Sequence, residues 1–190
     1  GLITICVFYV ALWTGEIVEN SQLQRLSKNT IKSDAYREQR MNESFLQNLD
    51  KKSNPGKYVG LYLLESKFGY LDTEMKDEYT LEKKWKQKRE FPTYLEVTES
   101  IWNDVIYFPV AEFVSDTSLT VQYNNSWYQE RTYGGKRKHE GTDIMAKRNL
   151  RGVYPIVSMT DGIVAKKGWL DKGGYRIGIE TERGAYFYYA

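Results

Sequence analysis

The sequence predicts an α+β chain, with a hydrophobic anchor and a helical region ahead of an antiparallel β domain. Three observations carry this. The first dozen residues are almost purely apolar, the stretch from about 55 to 107 shows helical spacing, and short alternating runs separated by glycine turns follow from about residue 113. Periods near 3.6 and 2 separate helices from strands.

The run Leu2 to Trp13 carries no charge before Glu16. A spanning helix needs about 20 apolar residues, so this run is short for one. The chain begins with Gly1 rather than Met, and residues 1–18 are read as a truncated membrane anchor. A buried core helix and an uncleaved signal peptide are the alternatives; no small-x-small cleavage site follows the run. Residues 19–54 are polar, with scattered Leu23, Leu26, Ile31, Phe45, Leu46 and Leu49. They are expected to form a linker or stalk helix, stopped by Ser53-Asn54-Pro55-Gly56.

Residues 55–112 form the helical unit. Val59, Tyr62, Leu63, Ser66 and Leu71 place one amphipathic helix after the Pro-Gly turn. Leu81 and Trp85 share a face of a second among lysines, and Phe91-Pro92 is expected to end it. Thr98 to Trp102 predicts a third, short helix. The helical unit is expected to give way to strands near residues 108 to 118, and residues 113–190 form the β domain. Its strands are expected at Leu119–Tyr123, Ile144–Ala146, Ile156–Val157, Gly162–Ala165, Tyr175–Ile179 and Ala185–Tyr189.

Composition narrows the function. Net charge is +2, which gives no sign of a nucleic-acid binder. A single cysteine, Cys6, excludes both an intrachain disulfide and a cysteine-rich metal site. Aromatics make up 15% of the chain, with sixteen tyrosines, which suits half-buried sheet faces or a carbohydrate-contacting surface.

His139 is the only histidine, and Asp143 lies four residues on, with Gly141 between them. An imidazole and a carboxylate are two of the three protein ligands that a catalytic zinc commonly takes. Residues four apart on a strand would lie about 13 Å from each other. The intervening segment must therefore bend, which Gly141 permits. The spacing alone is common, and what gives it weight is the order around it. His139-x-Gly141-x-Asp143 is followed by Met145-Ala146, Asp161-Gly162-Ile-Val, Gly168-Trp169, Gly173-Gly174-Tyr175 and a final Tyr188-Tyr189-Ala190.

Over about residues 126 to 190 this order resembles the LytM/lysostaphin-type zinc endopeptidases. The resemblance implies an antiparallel metallopeptidase domain, incomplete at its C-terminus, with His139 and Asp143 as the first two Zn2+ ligands. It implies a third ligand and a general base from histidines beyond Ala190, so that the 190-residue chain alone is expected to be inactive. The implied activity is cleavage of peptide cross-links in bacterial peptidoglycan, with the stem or bridge peptides as partners. The catalytic domain is then expected outside the cell, held to the membrane by a single N-terminal span. The alternative from another class is a zinc-free scaffold or activator that binds wall peptides or a partner hydrolase.

Two tyrosines carry further expectations. Tyr133, six residues before His139, could stabilise a tetrahedral intermediate through its hydroxyl, or simply pack beside Gly134-Gly135. Tyr175 could stack on substrate, although a tight hairpin explains the adjacent glycines equally well. The basic run Lys136-Arg137-Lys138 reads as a solvated loop, or as a patch attracting wall anions.

Overall fold

The computed structural model describes residues 26–111, 116–171 and 173–190. The expected anchor, residues 1–18, lies outside the described residues. Among those described, no helix is long and apolar enough to cross a membrane. Helices and antiparallel sheets are both present, as an α+β chain requires.

The chain divides into two compact units. One holds the residues up to Ser53 together with Lys57–Leu95, and the other holds Asn54–Gly56 and Glu96–Ala190. The division falls inside the helices Pro55–Glu65 and Phe91–Asn103, whereas the sequence reading placed it at about 108 to 118.

In the first unit, the described part of the expected linker or stalk helix is built of short pieces. These are α1 (Asp34–Arg37), α2 (Glu43–Leu46) and the 3₁₀ turns Thr30–Lys32 and Leu49–Lys51. No apolar period in this stretch sustains a longer helix, and local caps set the ends instead. The Ser33 hydroxyl accepts the Tyr36 N–H at the start of α1, an N-cap bond of the ordinary kind. The pieces are not a solvated stalk, because Leu26, Tyr36 and Leu49 are buried.

α3 (Pro55–Glu65) begins where a stop was expected. Proline lacks the N–H that the first helical turn cannot use and has its φ already set for a helix, so Asn54-Pro55 opens a helix as readily as it closes one. Val59, Leu61, Tyr62, Leu63 and Leu64 are buried. α4 (Glu78–Trp85) starts at its N-cap Asp77, whose carboxylate accepts the Thr80 N–H at 2.9 Å. It buries Leu81 and Trp85 as their spacing predicts. Tyr36, Phe68 and Tyr94 form an edge-to-face trio with centroids 5.6 to 6.5 Å apart, a favoured aromatic geometry. The buried Tyr62 hydroxyl accepts the N–H groups of Asn42 and Leu71, both at 3.2 Å, and donates to the Asn42 side chain. One phenol thus ties two loops to α3.

α5 (Phe91–Asn103) also starts where an end was expected, with Pro92 in its first turn. In the second unit its C-terminal half carries the buried Thr98 and Ser100. The Ser100 hydroxyl donates to Asp104 and lies 2.6 Å from the Thr181 hydroxyl. The strands are β1 (Val121–Tyr123), β2 (Glu130–Arg131), β3 (Arg137–Lys138), β4 (Ile144–Ala146), β5 (Ile163–Leu170), β6 (Gly174–Glu180) and β7 (Tyr186–Tyr189). They pair antiparallel as β1–β4, β2–β3 and β5–β6–β7. The expected strand at Ile156–Val157 is an isolated bridge, Val110 to Ile156. Arg183, in the turn before β7, forms ion pairs with Asp104 and Glu99. Burial acts to raise the Asp104 pKa, but hydrogen bonds from Arg183 and Ser100 outweigh it and hold the carboxyl below its usual range.

Candidate metal centre

The β2–β3 hairpin builds the site. Glu130 pairs with Lys138 and Arg131 with Arg137. The turn between them, through Tyr133, uses Gly134 and Gly135 at φ 77° and 110°, backbone that glycine adopts without steric cost. Neither strand has an apolar alternation, and the hairpin was not expected from the sequence.

His139 follows β3 directly, and its backbone is clamped to the segment before β2. Its N–H donates to the Gln129 carbonyl at 2.9 Å, and its carbonyl accepts the Tyr128 N–H at 2.6 Å. Tyr128 is buried at φ 60°, a left-handed conformation that is uncommon for a large residue. This turn brings the Ser126 carbonyl to 3.1 Å from His139 Nδ1. The Ser126 hydroxyl in turn accepts the Asp143 N–H at 3.3 Å.

The segment from His139 to Asp143 leaves the strands and bends at Gly141. Gly141 is not among the residues at positive φ, so the bend does not use the freedom the sequence reading assigned to it. A Cβ there would sit 3.5 Å from His139 Nε2, an ordinary van der Waals contact, so the bend does not need glycine for room either. The bend brings His139 Nε2 to 3.5 Å from Asp143 Oδ1. The imidazole is largely covered (15% exposed), whereas the carboxylate is open (54%).

That distance tests the pair against zinc. Ligands at about 2.1 Å, about 109° apart around a tetrahedral ion, are separated by about 3.4 Å. The two atoms therefore stand at the spacing of two ligands sharing one ion, and a nitrogen–oxygen donor set suits zinc. Among the described residues no group of three or more His, Cys, Asp and Glu side chains is placed to hold a metal.

Arg131 is the residue that sequence reasoning missed. Its Nη2 pairs with Asp143 Oδ2 and lies 2.8 Å from His139 Nδ1. Its Nε is buried without a hydrogen-bond partner. Arg131 and Asp143 also line an open groove with Tyr123, Asn125, Gln129 and Met145. Recognising Gly134-Gly135 as a hairpin turn would have found Arg131, because the register sets it diagonally across from His139 on one face.

The remaining expected site residues lie apart from this pair in the secondary structure. Tyr133 sits in the β2–β3 turn, 74% exposed. Tyr175 opens β6, opposite Trp169 of β5, and the two rings meet edge to face at 5.0 Å. Lys138 pairs with Glu130 at 3.5 Å and both side chains are exposed, but Arg137 and Lys138 lie in β3 rather than in the solvated loop expected of the basic run.

Comparison with known proteins gives three matches. The family described as LytM, N-terminal domain, matches residues 21–104. The L-Ala–D-Glu endopeptidase of Bacillus subtilis (strain 168) is 44% identical over 68 residues, 36% of this chain. That match spans 20% of the relative's length. A crystal structure from Ruminococcus gnavus ATCC 29149, described as a candidate glycyl-glycine endopeptidase LytM, is 44% identical with a TM-score of 0.75. It matches over 88% of this chain and 68% of its own.

Proposed function

Because the chain belongs to the LytM-type family, we propose that the whole protein is a zinc-dependent endopeptidase cleaving peptide cross-links of bacterial peptidoglycan. The observation that carries this reading is the 3.5 Å separation of His139 Nε2 from Asp143 Oδ1, the spacing of two ligands on one tetrahedral ion. His139 and Asp143 would hold the Zn2+, with a third ligand and a general base supplied from elsewhere in the whole protein. When bound, zinc supplies Lewis-acid polarisation of a carbonyl and lowers the pKa of a water.

The chain's own residues do the positioning. Ser126 faces Nδ1 with its carbonyl, the arrangement that leaves the Nε2 lone pair free when Nδ1 carries the proton. The Tyr133 hydroxyl is the proposed donor to the developing oxyanion. Removing a donor of this kind costs roughly 10²–10³ in kcat, so unchanged turnover in Tyr133→Phe sinks that role. Tyr175, beside Trp169, offers substrate an exposed aromatic surface. The reading puts the site outside the cell, anchored through the apolar run Leu2 to Trp13.

Relatives described as acting on L-Ala–D-Glu and on glycyl-glycine bonds make stem and bridge peptides the two substrates to offer. Purified wall peptides are incubated with the whole protein, with its His139→Ala variant and with the 190-residue chain, and new termini are read by mass spectrometry. Cleavage by the whole protein alone, lost on chelation and restored by zinc, supports the proposal. Binding without cleavage by the whole protein favours the second reading, a non-catalytic scaffold.

A further inference from the structure

The two oxygens of Asp143 are used differently. Oδ2 pairs with Arg131 Nη2, while Oδ1 faces His139 Nε2 at 3.5 Å. The Asp143 side chain is 54% exposed, so its immediate surroundings impose little restraint on rotation. A carboxylate that could turn freely would present either oxygen, or neither, to the imidazole. Arg131 is anchored better than its partner: it lies in β2, paired with Arg137, and its side chain is 34% exposed. Placing Arg131 directly opposite Arg137 is unfavourable, since like charges face each other across the pair. Its buried Nε–H has no partner, a further cost for a group that needs donors satisfied. Neither feature serves the hairpin itself, and both follow from holding the guanidinium over Asp143 and His139.

We propose that Arg131 is a positioning residue of the metal centre, one that fixes Asp143 by Oδ2 so that Oδ1 is presented alongside His139 Nε2. The inference rests on the zinc reading above and extends it to a residue that is not itself a ligand. Metal-ligating carboxylates are commonly held by such a hydrogen bond, and losing an outer partner typically weakens metal binding by about 10–100-fold.

Arg131 has a second contact, 2.8 Å from His139 Nδ1, where the Ser126 carbonyl also lies at 3.1 Å. One ring nitrogen cannot accept from Arg131 and donate to Ser126 together. The metal-competent tautomer is the one donating to Ser126, with Arg131 serving Asp143 only.

In the whole protein labelled with 15N only at histidine, long-range 1H–15N spectra of the metal-free state are compared for wild type, Arg131→Ala and Arg131→Lys. Where the whole protein holds further histidines, His139→Ala identifies the His139 signals. Zinc affinity is measured on the same samples by chelator competition, and the thermal midpoint checks folding. Arg131→Ala is expected to shift the His139 ring resonances in the metal-free protein and to weaken zinc binding about 10–100-fold. Arg131→Lys, which keeps the charge and loses the fork, is expected to recover part of that loss. Unchanged or tighter zinc binding in a folded Arg131→Ala protein overturns the proposal. If His139→Ala leaves wild-type zinc affinity unchanged, the zinc reading itself fails, and the positioning role falls with it.

Discussion

Replacing Arg183 with alanine should loosen the second unit, and the structure allows the size of the effect to be worked out. Arg183 reaches Asp104 through Nη2 and through Nε at 3.3 Å, and Glu99 through Nη1 at 3.4 Å. Asp104 also accepts the Ser100 hydroxyl at 2.6 Å, and Glu99 accepts the Asn54 side-chain amide at 2.8 Å. The three charged side chains are 20 to 31% exposed, between the surface and the buried cases. A hydrogen bond to a charged partner contributes about 1.5–3 kcal/mol. Counting the Asp104 pair in full and the longer Glu99 contact at the surface value gives about 1.5–4 kcal/mol for Arg183→Ala. For a chain of this size that is a fall of roughly 3–16 °C in the thermal midpoint.

The pH dependence follows from Asp104. Its folded pKa is depressed, so its contribution is fully present above the ordinary carboxylate value of about 4 and is lost as pH falls below it. Thermal unfolding followed by circular dichroism at pH 7 and pH 3 measures both effects. The difference between wild type and variant should be large at pH 7 and shrink at pH 3. A shift of about 2 °C or less at pH 7, the behaviour of a surface ion pair, refutes the reasoning, as does a shift equally large at both pH values.

Three further outcomes are expected. Tyr62→Phe strands the Asn42 and Leu71 groups that its hydroxyl serves, and should cost about 1–3 kcal/mol in urea unfolding. Leu81→Ala empties a fully buried position in α4 and should cost about 2–5 kcal/mol, again read from the denaturant midpoint. At Gly56 a Cβ would stand 2.5 Å from the Glu99 Cα. Gly56→Ala should therefore cost about 1–3 kcal/mol through overpacking, seen as a lowered thermal midpoint.

Legibility in the sequence followed the strength of local patterning. β4 was read residue for residue at Ile144–Ala146, and β6 and β7 to within one residue at their ends, because each is a short apolar or alternating run between glycine turns. Leu81 and Trp85 were placed on one buried face because four residues make about one helical turn. Pro55 and Pro92 misled, since proline both terminates helices and starts them, and only the following apolar period decides which. The β2–β3 hairpin was invisible because Glu130, Arg131, Arg137 and Lys138 are all charged. With the hairpin went Arg131, the residue that touches both candidate ligands. His139 and Asp143 were legible as a pair, but their approach depends on the Ser126–Gln129 clamp, a backbone feature without a side-chain signature.

The most direct measurement is zinc-edge anomalous diffraction from crystals of the whole protein loaded with zinc. The account predicts a peak within about 2.0–2.2 Å of both His139 Nε2 and Asp143 Oδ1. A peak elsewhere, or an empty site between these two atoms after loading, contradicts it.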